Sequence, residues 1–139
     1  MKLTEIFRGL ILVSTFLYVV YLLLPFVPAN WYSDSTLELL SFSGSDAILD
    51  IPVPIYHAIS LAWLLTAVGM YFYIPIARSA FVWLYVITVP IDIVGGVVVT
   101  PGLDMAILSL STLLDGAIIA IAYLTSVERL FVGDTQPSD

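Results

Sequence analysis

Ile55–Thr100, IYHAISLAWLLTAVGMYFYIPIARSAFVWLYVITVPIDIVGGVVVT, is apolar almost without relief. As one continuous helix it would extend about 69 Å at ~1.5 Å per residue, more than twice the ~30 Å of a bilayer's hydrocarbon. The segment must therefore turn back on itself. The best place is Tyr73–Ser79 (YIPIARS), where Pro75 cannot continue a helix interior and Arg78 seeks the headgroup region. This break gives two spans, Ile55–Ile74 and Ala77–Thr100.

Outward from that hairpin the chain supplies two more spans. Ile6–Val27 (IFRGLILVSTFLYVVYLLLPFV) is long enough to cross a bilayer, with one arginine near its start. Lys2, Arg8 and the sequence Val27-Pro28-Ala29 give it some likeness to a cleavable signal. Its apolar run exceeds the usual ~7 to 15 residues of a signal core, so it reads as a retained helix. After the third span, Pro101-Gly102 makes a tight turn, Asp104 marks the water side, and Met105–Thr125 completes a fourth pass. The expected fold is an all-α membrane protein. It is a four-helix bundle with short connections and one longer acidic extracytoplasmic loop, residues 28–54.

Composition agrees with this class. The chain has 139 residues, 60% of them hydrophobic and only 11% charged, and its mean hydropathy is +1.07. A water-soluble fold of this size could not hide so much apolar surface. The absence of cysteine rules out disulfides, a thiolate nucleophile, and cysteine-ligated zinc or iron–sulfur clusters. A net charge of −7 gives no electrostatic footprint for nucleic acid and no polybasic patch for anionic lipid.

Charge placement sets the expected orientation. Lys2, Arg8, Arg78 and Arg129 all fall on one side, whereas the connections after the first and third spans contain acids only. The positive-inside tendency then puts both termini in the cytoplasm of a cell (inner) membrane. Trp31, Tyr32 and Tyr56 fall near the outer interface, and Tyr71, Phe72, Tyr73 and Tyr123 near the inner one, as interfacial aromatic belts require. The 28–54 loop carries Asp34, Glu38, Asp46 and Asp50. Ser35-Thr36-Leu37-Glu38 has capping-box spacing, and Leu37, Leu40 and Phe42 suit a brief interfacial helix that lids the bundle mouth. Residues 132–139 read as a disordered cytoplasmic tail.

The chemistry concentrates on two aspartates inside apolar spans. Asp92 shares a face of the third span with Tyr85, Thr88 and Gly96, beside Pro90; Asp115 follows Ser111 and Thr112 by one turn in the fourth. An ionised side chain at mid-bilayer costs at least about 2.5 kcal/mol, so something must offset it. A proton, a bound cation, the imidazolium of His57 or a basic group from another molecule would serve; Arg78 and Arg129 lie too far away. Because a short turn joins the third and fourth spans, the two carboxyls are expected to face each other, directly or through water, with His57 above them. Ser60, Tyr85, Thr88, Ser111 and Thr112 would flank this track. Gly95-Gly96 and the small-residue face Thr112, Gly116 and Ala120 are expected to permit close helix packing. Structural alternatives stand beside each functional one. Both aspartates can act as hydrogen-bonded glue, His57 can be satisfied by water or the loop, and Trp63, Trp83, Tyr18 and Tyr21 can serve simply as packing.

Three functional classes follow. The first is a non-enzymatic subunit or binding module, whose acids engage the transmembrane helix of another membrane protein, a second copy of the chain or a cationic ligand. The second is a proton or cation pathway running from His57 to Asp92 and Asp115. Its route toward the cytoplasm is obstructed by Ile, Ala and Leu. The third is a membrane enzyme with an Asp92–Asp115 acid–base pair; the chain shows no nucleophile motif, no metal-ligand spacing and no phosphate loop. The balance favours a non-enzymatic role. No catalytic residue, metal or other cofactor is expected, and the partners expected are the lipid bilayer and another membrane protein or a homo-oligomer.

Overall fold

The computed structural model describes residues 2–26 and 31–132. Its elements are α1 (Leu3–Leu23), a 3₁₀ turn (Leu24–Phe26), α2 (Asp34–Leu40), α3 (Val53–Tyr71), α4 (Pro75–Val94), α5 (Gly102–Leu124) and α6 (Glu128–Val132). There is no strand among the described residues. Four of the helices, α1, α3, α4 and α5, are long and apolar enough to cross a membrane. The end expected for the first span and most of the tail lie outside the described residues.

The central hairpin turns where the sequence places the break. Pro75 occupies the first turn of α4, where its missing N–H costs nothing. The end of α3 closes with paired bonds, Ile74 N–H to the Gly69 carbonyl (2.9 Å) and Tyr73 N–H to the Met70 carbonyl (3.1 Å). This is the Schellman arrangement, whose left-handed position is usually glycine; here Tyr73 takes it, at φ 58°. The strain, about 1 kcal/mol for a side chain in this region, is offset by the ring. Tyr73 stacks on Phe7 at 5.8 Å and meets Phe131 edge-on at 5.5 Å. Gly69 lets the hairpin close, since a Cβ there would come within 2.5 Å of Ala77 Cβ.

Each long helix turns one seam inward, at the three- and four-residue spacing of packed helices. The seams are Phe7, Ile11, Ser14, Tyr18 and Tyr21 on α1; Ser60, Trp63, Ala67 and Met70 on α3; Ala77, Phe81, Tyr85 and Thr88 on α4; and Ser111, Asp115, Ile118 and Ala122 on α5. The continuous core comprises Phe7, Ile11, Met70, Ala77, Phe81, Ile118 and Ala122, closed below by Val127 and Phe131 from the α6 segment. It fills the half of the bundle that carries the arginines. Toward the other end the same seams become polar.

Three expectations about the elements need correction. The third span ends at Val94, not Thr100, because Gly95 caps α4 and Gly96 turns with φ +84°. Residues 97–99 then leave the helix and run beside the long loop: Val97 N–H donates to Ser45 O (2.9 Å), Gly44 N–H to Val97 O (2.7 Å), and Ile48 N–H to Val94 O (2.9 Å). The helix in the loop starts two residues earlier than the capping-box spacing suggests. Ser33 is its N-cap and accepts from Thr36 N–H at 3.2 Å. Finally, α5 packs chiefly on α1 and α4 chiefly on α3, so the third and fourth spans are not the close pair that a very short turn would impose.

Candidate functional site

Asp115 sits thirteen residues into α5, about 20 Å from its acidic end at ~1.5 Å per residue. It is buried, at 9% exposure. The neighbours that satisfy it come from two other helices. Ser14 Oγ donates to one carboxyl oxygen, and the Tyr85 hydroxyl donates to the other at 2.6 Å. Three long helices thus meet at one carboxyl, and the bond from Tyr85 joins the α3–α4 pair to the α1–α5 pair. Trp63 braces the tyrosine edge-on, with ring centroids 4.6 Å apart. A void of about 10 Å³ beside Ser14, Thr15 and Asp115 is close to the minimum that holds one water.

The other sequence-predicted residues distribute differently. Asp92 does not face Asp115: with α4 ending at Val94 it lies in the helix's last turn, exposed, and with no side-chain hydrogen bond among the described residues. The expected depth depended on six further residues of helix that the glycine pair terminates. His57 is also exposed and makes no such bond. Thr88 and Thr112 donate to carbonyls of their own helices, those of Tyr85 (3.1 Å) and Leu108 (2.9 Å). Ser111 is buried near Asp115 in the α5 seam, but its hydroxyl has no partner among the described residues.

The glycines separate as well. Gly96 is needed for its backbone, because a Cβ would come within 2.5 Å of Ser45 O and 2.7 Å of Ala47 N. A Cβ at Gly95 would meet Ile91 O and the Tyr56 hydroxyl less closely, at 3.2 and 3.4 Å. A Cβ at Gly116 would meet nothing within 4 Å, and the residue is exposed with Thr112 and Ala120, so that face packs on no helix of its own chain among the described residues.

Ser14 is the site residue that sequence reasoning passed over. Its signal was the α1 seam: in a span of apolar residues it falls in register between Ile11 and Tyr18, where a small hydroxyl must point inward. Among the described residues, no three His, Cys, Asp or Glu side chains gather into a metal-sized group. No protein-family model, curated protein or solved structure matches the chain.

Proposed function

We propose that this chain is a non-enzymatic multi-pass membrane subunit, with both termini in the cytoplasm, in which the two aspartates have separate tasks. Asp115 is the internal latch that holds three helices in one arrangement. Asp92 is the outward acid that meets a basic side chain or amine of a partner, which is another membrane protein or a second copy of the chain. The observation that carries this reading is the difference in their satisfaction. Both oxygens of Asp115 are occupied by hydroxyls of its own chain, whereas Asp92 is exposed and unbonded among the described residues. The four basic residues of the chain do not fill that role, since Lys2, Arg8, Arg78 and Arg129 belong to the opposite end. The open Thr112–Gly116–Ala120 face of α5 supports the same reading, because small residues let a second helix approach closely.

The test separates the two acids. Asp92→Asn should abolish recovery of the partner or of the oligomer after mild solubilisation and leave the thermal unfolding of the chain unchanged. Asp115→Asn should lower thermal stability first. Full recovery of the assembly with Asp92→Asn would overturn the proposal.

A second reading is favoured by the polar half of the seams. Ser60 lies beside the Tyr18 phenol, Tyr21 lies within electrostatic reach of Asp104 and Asp92, and Asp115 lies below them. Such a track suits a proton or cation entering from the acidic end, with the apolar core blocking its exit. Proton flux in proteoliposomes that is unchanged by Asp115→Asn would eliminate it.

A further inference from the structure

A cavity of about 500 Å³ opens at the acidic end, between α2, the 3₁₀ turn after α1 and the start of α5. Leu24, Trp31, Tyr32, Leu40 and Val99 give it a mainly apolar wall, and Asp104 supplies a carboxylate. One oxygen of that carboxylate, Oδ1, is buried and has no hydrogen-bond partner among the described residues. The reason lies in the local sequence. Asp104 is the third residue of α5, where an acid ordinarily accepts the backbone N–H of the N-cap residue. The N-cap here is Pro101, which has no N–H to give.

A carboxylate without a hydrogen-bond partner at the wall of a mainly apolar cavity calls for a charged donor, because leaving it unpaired costs more than leaving a neutral acceptor unpaired. The chain has none nearby: its arginines and its lysine lie at the other end, and the surrounding loop contributes Asp34, Glu38, Asp46 and Asp50. An anion would be repelled. A bare divalent cation would find a single carboxylate and no further His, Cys, Asp or Glu grouped with it among the described residues. The volume falls in the ~300–1,000 Å³ range of small-molecule sites. We propose that this cavity binds a primary ammonium carried on an apolar body, the nitrogen donating to the Asp104 carboxylate and the body lying against Trp31, Leu24 and Leu40. A free alkyl or aryl amine and the amine of an ethanolamine lipid headgroup share that chemistry. The site is separate from Asp92 and Asp115, so it stands whether or not they act as proposed above.

The test uses the full chain in phosphatidylcholine nanodiscs, with octylamine as the probe. Trp31 fluorescence is the readout, and subtracting the response of Trp31→Phe removes the signal of the other two tryptophans. Octylamine should give a saturable change, while octanol and octanoate of equal chain length give none. Asp104→Asn should weaken octylamine binding by about tenfold or more, the expected loss for one charge-assisted bond, and Asp92→Asn should leave it unaltered. Leu40→Trp, which fills the cavity and keeps Asp104, should block binding independently. Adding phosphatidylethanolamine to the nanodiscs assigns the source: a rightward shift of the octylamine curve identifies the headgroup, and an unmoved curve identifies a free amine. Equal binding of octanol, or undiminished octylamine binding by Asp104→Asn, would overturn the proposal.

Discussion

The two ends of the bundle are built on opposite principles. At the basic end, side chains fill the space: Phe7, Tyr73 and Phe131 form an aromatic cluster with centroids 5.5 to 6.0 Å apart. The arginines lie over rings, Arg8 at 5.0 Å from Tyr73 and Arg78 at 4.5 Å from Tyr123. At the acidic end, backbone hydrogen bonds between the long loop and the α4–α5 connection do the holding, α2 has no buried residue, and a cavity remains open. Packing against many neighbours fixes a position rigidly, whereas a few backbone bonds fix a loop but leave room beneath it. The closed end therefore supplies the scaffold, and the open end is where a ligand or partner would have access. Asp115 lies at the boundary between the two.

The comparison breaks most completely at the closed end. Phe131 is 1% exposed and touches both other rings of the cluster. Phe131→Ala should lower stability by about 3 kcal/mol, the low side of the range for emptying a buried phenylalanine site. Unfolding in mild detergent followed by near-ultraviolet circular dichroism would measure it. A loss under about 1 kcal/mol would mean that the cluster is loosely packed, and that the two ends do not differ as described.

At the open end a change of the same kind should act on one region only. Gly96→Ala places a Cβ against Ser45 and Ala47 and imposes a positive φ on alanine, at a cost of about 2 kcal/mol. Hydrogen exchange should then speed up at Gly44, Ile48 and Val97, with the α1–α5 amides unchanged. Gly116→Ala, where the added methyl meets nothing, is the control and should have no effect on exchange. Uniform acceleration across the chain would show that the loop is part of the scaffold.

Between the ends, Ser14→Ala removes one of the two donors to Asp115 and should destabilise by about 1 kcal/mol, the usual scale for a hydrogen bond between membrane helices. Tyr85→Phe removes the other. A double-mutant cycle should find the two changes non-additive, because both donors act on one carboxyl. Strict additivity would mean that Ser14 and Tyr85 do not share Asp115.

The four long helices and the hairpin break at Pro75 were legible because apolar length and proline chemistry are local properties. The end of α4 was not. Val97-Val98-Val99-Thr100 continues the hydropathy of a span, and only the pairing of Val97 with Ser45, about 50 positions away in the chain, shows that the segment has left the helix. That one error placed Asp92 at mid-bilayer depth instead of at a helix end and created an acidic pair that the fold does not contain. Asp115 and Tyr85 were both identified from their spans. Their partnership was missed because it depends on which helices pack together, which connection length alone does not decide. The cavity at Asp104 was legible only in part: Pro101 and Asp104 are visible in sequence, but the walls from the turn after α1 and from α2 are not.

The smallest expected effect tests whether charge contributes to the closed end beyond its packing. Arg78 meets Glu128 at 3.5 Å, and its Nη1 also donates to the Ala122 carbonyl at 3.4 Å. Glu128 is half-exposed, so water and salt screen the pair, and Glu128→Gln should cost no more than about 0.5 kcal/mol. Arg78 is shielded by Tyr123 and Phe131, and its aliphatic stem adds packing that the glutamate does not share. Arg78→Gln should consequently cost clearly more than Glu128→Gln, and the excess should persist in high salt. If the two substitutions cost the same and both effects vanish with salt, the closed end is held at this corner by a surface ion pair, and the contrast with the open end narrows to the aromatic cluster alone.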